Sequence, residues 1–133
     1  MGATLVDSDV ILDVLTEDSE WGDWSSSMLA DAAGAGMLVI NPIIYAEVSA
    51  RFERIEDLDE ALPLSYYRRL PLPFEAAFLA EQCYVKYRRG GGRRSPMPDF
   101  YIGAHAAIAG LTLLTRDAAR YRTYFPSLRI VAP

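Results

Sequence analysis

The sequence predicts an α/β protein of three layers, in which a central parallel sheet of about five strands lies between helices. Short apolar runs recur along the chain, and a segment with helical spacing of its apolar residues follows each of them. No internal repeat, low-complexity tract or long linker interrupts this alternation. Strands that alternate with helices form βαβ units, and right-handed crossovers then place the strands parallel in one sheet.

Length and composition favour a single domain over residues 1–133. A chain of 133 residues with 51% hydrophobic content is long enough and apolar enough for one core. The single cysteine, Cys83, excludes an intrachain disulfide, and we expect it to pack in the core. The chain begins without a signal-like segment, and no apolar stretch reaches the roughly 20 residues of a membrane span. We therefore expect a cytoplasmic protein without a membrane partner.

The charge balance bears on nucleic-acid binding. Thirteen basic and eighteen acidic residues give a net charge of -5, so any contact with nucleic acid needs a local basic patch. Twelve of the basic residues are arginines, which suit phosphate binding, although a GC-rich gene produces the same bias. Arg88, Arg89, Arg93 and Arg94 flank a glycine run. This segment is either a phosphate-binding loop or a solvated one.

The first strand is predicted at residues 4–6, and it ends at Asp7. A helix follows, with apolar residues at helical spacing and Ser8 or Asp9 as its cap. A second helix is predicted from the spacing of Trp24, Met28, Leu29 and Ala32, and it ends at Gly34 and Gly36.

The second strand is predicted at residues 37–40, where four apolar residues run without interruption. Asn41 then caps a helix, and Pro42 occupies its first position. The buried side of this helix is predicted to carry Ile44, Val48, Phe52 and Ile55. Glu47 lies at the edge of that apolar side, which is an unusual place for an acid.

The second half of the chain continues the alternation. Residues 53–60 are predicted to form a solvated acidic helix face, residues 69–73 an edge strand, and residues 74–89 a long amphipathic helix. The residues predicted to face inward from that helix are Phe74, Ala77, Phe78, Tyr84 and Val85. Pro98 opens a further helix that Gly110 ends, and a strand over 111–114, a short helix over 118–121 and a last strand over 128–131 follow.

Four acids occupy positions that a parallel sheet brings together. Asp7 and Asp117 each come directly after a predicted strand, Glu47 lies in the helix after another strand, and Asp99 lies in the first turn of a helix. The carboxyl edge of a parallel sheet is where such proteins bind ligands. Four carboxylates there repel each other, and a hard cation such as Mg²⁺ or Mn²⁺ relieves that repulsion.

Each acid also has a structural interpretation that requires no ligand. Asp7 is suited to capping the following helix, and Asp99 is stabilised by the helix dipole in a first turn. Asp117 fits a turn or a cap, and Glu47 fits a surface position on the flank of its helix. It is the occurrence of four acids at strand-edge positions that favours a site.

Four segments resemble the PIN-domain family, and within it the small VapC-type ribonuclease toxins. They are LVDSDVIL (residues 5–12), NPIIYAEV (41–48), MPDFYIGAHA (97–106) and LLTRD (113–117), in family order and spacing. The resemblance covers nearly the whole chain. It implies a three-layer PIN-like fold and a metal-dependent endoribonuclease that is the toxin of a type II toxin–antitoxin pair.

The resemblance also implies roles for particular residues. Asp7, Glu47, Asp99 and Asp117 correspond to the acidic catalytic residues of the family, and we call them the acidic quartet. Asp7, Asp99 and Asp117 are expected to hold Mg²⁺ or Mn²⁺, and Glu47 to complete the shell or orient the attacking water. Asp9 is either an additional acid or a cap.

Further expectations concern the substrate and the partners. Thr115 matches a hydroxyl residue beside the last acid, and Arg116 is expected to bind phosphate or neutralise Asp117. The arginines expected to contact RNA phosphates are Arg88, Arg89, Arg93 and Arg94. His105 is expected to be structural. The family resemblance implies an RNA substrate, a VapB-like antitoxin and a homodimer.

Two alternatives from other classes stay open on the sequence. The segment from Asp7 to Val10 also resembles the opening motif of haloacid-dehalogenase-like phosphatases, which need a lysine between their motifs and a late acidic pair. Lys86 is the single lysine, and only Asp117 follows the late strand. The other alternative is a non-catalytic α/β domain whose acids bind a cation or a protein.

Overall fold

The computed structural model describes residues 2–92 and 97–133, and its centre is a five-stranded sheet. The strands are β1 (Thr4–Val6), β2 (Leu38–Ile40), β3 (Tyr67–Arg69), β4 (Thr112–Leu114) and β5 (Ile130–Val131). They lie in the order β3-β2-β1-β4-β5, and every neighbouring pair is parallel. The predicted α/β fold with a parallel sheet is confirmed.

Seven helices connect these strands in the part of the chain that the structure describes. They are α1 (Ser8–Leu15), α2 (Gly22–Ala35), α3 (Pro42–Ser49), α4 (Ile55–Ala61), α5 (Phe74–Arg89), α6 (Met97–Ala109) and α7 (Ala119–Tyr124). All three residues of β2 are buried although successive side chains point to opposite faces. Helices therefore cover both faces of the sheet, as the three-layer prediction requires.

The sheet order reverses direction beside β1. From β1 the chain moves outward to β2 and β3, and it then returns to β4 on the other side of β1. Thr4 pairs with Leu38 of β2 and with Thr112 of β4, so the three strands end at the same level. Such a reversal leaves a crevice at the carboxyl ends of the strands, where ligands bind in open α/β sheets.

Local signals set several helix ends as predicted. The side chain of Asn41 accepts a hydrogen bond from the backbone N–H of Ile44 at 2.9 Å, and Pro42 is the first residue of α3. Gly110 follows α6 with a φ of 67°, a conformation that glycine adopts without strain. The cap of α1, however, is Asp7 rather than Ser8 or Asp9.

Helix α3 and the edge strand β3 depart most from the predicted bounds, while β2, β4, β5 and α7 differ from theirs by one to three residues at an end. Helix α3 ends at Ser49, so Phe52 and Ile55 do not continue its buried side, and Ile55 is 59% exposed at the start of α4. The edge strand covers Tyr67–Arg69 and not residues 69–73. The residues predicted for the strand include Pro71 and Pro73, which lack the N–H that pairing with β2 requires.

Helix α5 has the predicted bounds but buries a different side. Its buried residues are Ala76, Ala80 and Cys83, whereas Phe74 is 93% and Phe78 69% exposed. Small side chains on this side let α5 pack closely on α6. The prediction that Phe74 and Phe78 face the core is therefore wrong, while the packing role predicted for Cys83 is confirmed.

Two points concern segments outside the sheet and its helices. Arg93 and Arg94 of the arginine-rich segment lie outside the described residues. Within residues 2–92 and 97–133, no helix combines the length and the apolar character needed to cross a membrane.

Candidate functional site

Asp7 lies at the carboxyl end of the central strand β1 and is almost fully buried, with 6% of its surface exposed. Its Oδ1 accepts a hydrogen bond from the backbone N–H of Ser8 at 2.8 Å, which caps α1. Its Oδ2 accepts bonds from the hydroxyl of Thr115 at 2.8 Å and that of Tyr121 at 3.0 Å. Three donors from separate parts of the chain therefore hold this carboxylate in place.

The pKa of Asp7 is raised from 3.8 to about 7. Burial is the main cause, and repulsion from Asp9 and Asp99 adds to it. The hydroxyls of Thr115 and Tyr121 act in the opposite direction, because they donate to the charged form. Without a positive partner, this carboxyl group holds its proton up to about neutral pH.

Glu47 reaches the same region from α3. Its Oε1 accepts a hydrogen bond from the Ser8 hydroxyl at 2.8 Å, so Ser8 joins the start of α1 to α3. The pKa of Glu47 is raised, first by burial and then by repulsion from Asp7 and Asp99. The negative charges of Asp7 and Asp99 therefore both disfavour the charged form of Glu47.

Asp99 enters from the first turn of α6. Its Oδ2 accepts a bond from Nη1 of Arg120 at 2.6 Å, and its Oδ1 lies 3.4 Å from the Tyr121 hydroxyl. The pKa of Asp99 is raised, mainly by burial, although Arg120 lowers it. Repulsion from Asp117 adds to the upward shift.

Asp117 is the exposed member of the acidic quartet and lies in the turn after β4. Its backbone N–H lies 3.3 Å from the Thr115 hydroxyl oxygen, which in turn donates to Asp7. The structure thus brings all four acids to the carboxyl edge of the sheet. Their catalytic roles do not follow from position alone and remain predictions.

Asp9 stands beside the quartet and is held by the β4–α7 turn. Its two carboxylate oxygens each lie 3.3 Å from the backbone N–H of Arg116, and its Oδ2 lies 3.4 Å from the Thr115 hydroxyl. The pKa of Asp9 is raised, chiefly by burial. Asp9 therefore joins α1 to the turn that carries Asp117, and it does not cap α1.

The guanidinium of Arg116 binds Asp13, a partner that the sequence did not suggest. It binds Asp13 through two parallel hydrogen bonds of 2.9 and 3.0 Å, and it lies over the ring of Trp21. Asp13 is buried and also accepts a bond of 2.7 Å from Ser25. The side chain of Arg116 is engaged here and not on Asp117.

The other predicted residues that the structure describes have partners outside the acidic quartet. Arg88 and Arg89 are exposed in the last turn of α5, where Nη1 of Arg88 donates to the carbonyl of Gly92 at 2.9 Å. His105 is buried, and its Nδ1 lies 2.9 Å from the side-chain nitrogen of Asn41. Burial lowers the pKa of His105, which agrees with the structural role predicted for it.

Sequence reasoning missed two residues of α7 that touch the acids. Tyr121 and Arg120 contact Asp7 and Asp99, respectively, although no motif marks them. Their position was a usable signal, because a helix beginning just after Asp117 places residues one turn onward beside the same sheet edge.

The chemistry of these donors fits a hard divalent cation. Every member of the acidic quartet offers carboxylate oxygen, and burial with mutual repulsion raises the pKa values of Asp7, Glu47 and Asp99. A divalent cation favours the charged forms and offsets this cost. In the described residues, no three acidic, histidine or cysteine side chains already form a ligand cluster. The acids are instead held by Ser8, Tyr121 and Arg120.

The fold and this acidic edge define a parallel α/β protein with a carboxylate site at the carboxyl ends of its strands. The family model described as PIN domain matches residues 4–126. The chain therefore belongs to the PIN-domain family. A search of the curated proteins by sequence found no match.

Solved structures of similar fold come from toxin–antitoxin systems. The chain is similar to VapBC2 from Rickettsia felis, bound to a DNA fragment from its promoter, with a TM-score of 0.75, 15% identity and 98% of each chain covered. For FitAcB from Neisseria gonorrhoeae the TM-score is 0.71 and the identity 21%, with 96% of this chain and 95% of that one covered. Mycobacterium tuberculosis VapC20, a sarcin-ricin loop cleaving toxin, has a TM-score of 0.66 and 12% identity, with 90% and 94% covered. The TM-scores show that these proteins share the fold of this chain.

Proposed function

We propose that this PIN-domain protein is a metal-dependent endoribonuclease and the toxin of a type II toxin–antitoxin pair. One observation carries the proposal: Asp7, Glu47 and Asp99 come from three separate elements, yet the Tyr121 hydroxyl lies 3.0 Å from Asp7 and 3.4 Å from Asp99, and Ser8, the residue after Asp7, donates to Glu47 at 2.8 Å. A protein gains no stability from burying mutually repulsive carboxylates. Their retention is explained by a function that uses positive charge from outside the chain.

Asp7, Asp99 and Asp117 would hold one or two Mg²⁺ or Mn²⁺ ions. Such a cation, when bound, stabilises the charge that develops on a phosphate and lowers the pKa of water. Glu47 would complete the shell or orient the attacking water, and its bond from Ser8 fixes the direction of one of its oxygens. Thr115 holds Asp7 in position with its hydroxyl.

RNA phosphates would contact the arginines at the end of α5 and in the segment that follows it in the sequence. Arg88 and Arg89 are exposed and suited to that role, and Arg93 and Arg94 follow them in the sequence. Arg116 would have to leave Asp13 to bind phosphate. We therefore propose that it contributes less to phosphate binding than Arg88 and Arg89 do. Local arginines are needed because the net charge of -5 repels nucleic acid.

The partners follow from the proteins of similar fold. Structures of VapBC and FitAB assemblies support a VapB-like antitoxin as the cognate partner, and some of these assemblies are bound to DNA. VapC20 is a toxin that cleaves the sarcin-ricin loop, which supports RNA as the substrate class. A homodimer and a cytoplasmic location complete the proposal.

The proposal is tested by incubating purified protein with RNA in the presence of Mg²⁺ or Mn²⁺. We expect cleavage that EDTA abolishes and that Asp7→Asn and Asp99→Asn each reduce roughly 100-fold or more, since even residues outside the metal shell cost 10–100-fold. The matched control is Asp31→Asn, the same change at an exposed position on α2. Cleavage by Asp7→Asn at the wild-type rate would point to a contaminating nuclease.

The same preparation distinguishes the alternatives. Release of phosphate from a small ester, inhibited by a metal fluoride that traps a nucleophilic aspartate, would indicate the phosphatase. Binding of Mn²⁺ without cleavage of any RNA would favour a non-catalytic cation-binding domain. The family assignment favours the nuclease over the phosphatase, because the PIN model spans 4–126, a range that includes all four acids.

A further inference from the structure

Arg120 is the one arginine, within the part of the chain that the structure describes, whose side chain forms an ion pair with the acidic quartet. Its Nη1 donates to Oδ2 of Asp99 at 2.6 Å. Its guanidinium carbon also lies 5.7 Å from the centre of the Tyr87 ring. The side chains of Arg120 and Asp99 are 35% and 33% exposed, so solutes reach this ion pair.

The charge balance makes Arg120 the local counter-charge of the quartet. Arg116, the other arginine at this edge, is held by two hydrogen bonds to Asp13. Arg120 lowers the pKa of Asp99 against the effect of burial, so it favours the charged carboxylate. A guanidinium thus occupies a carboxylate oxygen that a divalent cation would also bind. The two positive groups repel each other, and they compete for that oxygen.

We propose that Arg120 is a built-in competitor of the divalent cation at Asp99, and that its displaced guanidinium becomes a contact for the RNA phosphate. This inference rests on the proposed function. When a cation binds Asp99, the guanidinium loses its partner but stays beside the acidic quartet, because its stem is anchored on α7 and the ring of Tyr87 already contacts it. Once released from Asp99, the guanidinium of Arg120 would donate hydrogen bonds to the RNA phosphate that the cation attracts.

The first measurement is Mn²⁺ binding by calorimetry at pH 8, without RNA. Arg120→Gln is compared with Arg122→Gln, which removes the same charge from an exposed position on the same helix. Because the competitor is gone, we expect half-saturation at a roughly three- to tenfold lower Mn²⁺ concentration in Arg120→Gln than in Arg122→Gln. Arg120→Lys keeps a positive charge, and we expect it to remain closer to the wild type. A purely structural role would weaken binding in Arg120→Gln.

The second measurement is RNA cleavage at saturating Mn²⁺. We expect Arg120→Gln to raise KM for RNA several-fold while Arg122→Gln does not, so the variant binds the cation more tightly and the RNA more weakly. Equal Mn²⁺ affinity in the two variants would overturn the competition, and an unchanged KM would overturn the phosphate contact. If the wild type binds no Mn²⁺, the proposed function itself fails. If the wild type binds Mn²⁺ and cleaves RNA but Arg120→Gln matches Arg122→Gln, only the inference about Arg120 fails.

Discussion

The hydroxyl of Tyr121 lies 3.0 Å from Oδ2 of Asp7, although 114 positions separate the two residues in the chain. The same hydroxyl is 3.4 Å from Oδ1 of Asp99. Tyr121 is itself buried, and burial together with the neighbouring acids raises its pKa well above the ordinary value, so the phenol keeps its proton. It therefore stands between two acids of the quartet as a fixed donor.

Replacing Tyr121 by Phe removes one of the donors that stabilise charged Asp7. The pKa of Asp7 then rises above about 7, so a smaller fraction is ionised at neutral pH. Because protons and a divalent cation compete for the same carboxylate, we expect Mn²⁺ binding, measured by calorimetry, to weaken roughly several-fold at pH 7 and to recover partly at pH 9. Tyr124→Phe on the same helix is the control, and an identical weakening in that variant would exclude a specific role for the Tyr121 hydroxyl.

The raised pKa of Asp7 predicts how stability depends on pH in protein treated with EDTA. The group has a pKa of about 7 in the folded chain and an ordinary value of 3.8, so between these values the folded state binds more protons than the unfolded state. Stability therefore falls as the pH rises from about 4 to about 7. We expect Asp7→Asn to raise the free energy of unfolding at pH 8 by roughly 1–3 kcal/mol, because it removes a buried charge.

The measurement is urea unfolding of wild type and Asp7→Asn at pH 5 and pH 8. The increase in the free energy of unfolding of Asp7→Asn over the wild type should be large at pH 8. It should be small at pH 5, where the carboxyl group of wild-type Asp7 is already protonated. An equal gain at both pH values would contradict the buried charge as the cause. Asp31→Asn, exposed on α2, should change neither value.

The pair formed by Arg116 and Asp13 is expected to support stability. Asp13 is 3% exposed, and loss of Arg116 leaves its charge with the Ser25 hydroxyl as the remaining side-chain donor that the structure shows. We expect Arg116→Gln to lower the free energy of unfolding by roughly 2–4 kcal/mol, against less than about 0.5 kcal/mol for Arg122→Gln. If Arg116→Gln unfolds like the wild type yet binds RNA weakly, the phosphate role predicted from the sequence would be favoured.

Gly103 and Gly34 offer a matched test of helix packing, because a side chain would be crowded at Gly103 and unobstructed at Gly34. A Cβ on Gly103 in α6 would lie 2.5 Å from the ring of Phe125, which follows α7, whereas a Cβ on Gly34 in α2 would meet nothing within 4 Å. We expect Gly103→Ala to destabilise by roughly 1–3 kcal/mol and Gly34→Ala to stabilise by about 0.5–1 kcal/mol. Thermal unfolding of both variants measures this, and destabilisation by both would contradict the packing described.

Much of the fold was predictable because its signals are local. The apolar run before Asp7 and the Asn41–Pro42 cap mark the ends of strands without reference to the rest of the chain. Parallel strands share one edge, so acids that follow strands were expected to meet there. The four acids of the quartet indeed lie at that edge, although their catalytic roles await experiment.

The sequence by itself determined the order of strands and helices and the positions of the acids along them, since apolar periodicity, prolines and glycines act over a few residues. Tertiary structure alone decided which side of α5 is buried, that Arg116 binds Asp13, and that Arg120 and Tyr121 reach the acids. The physical reason is that burial and pairing depend on the surface opposite. That surface is supplied by residues far away in the chain.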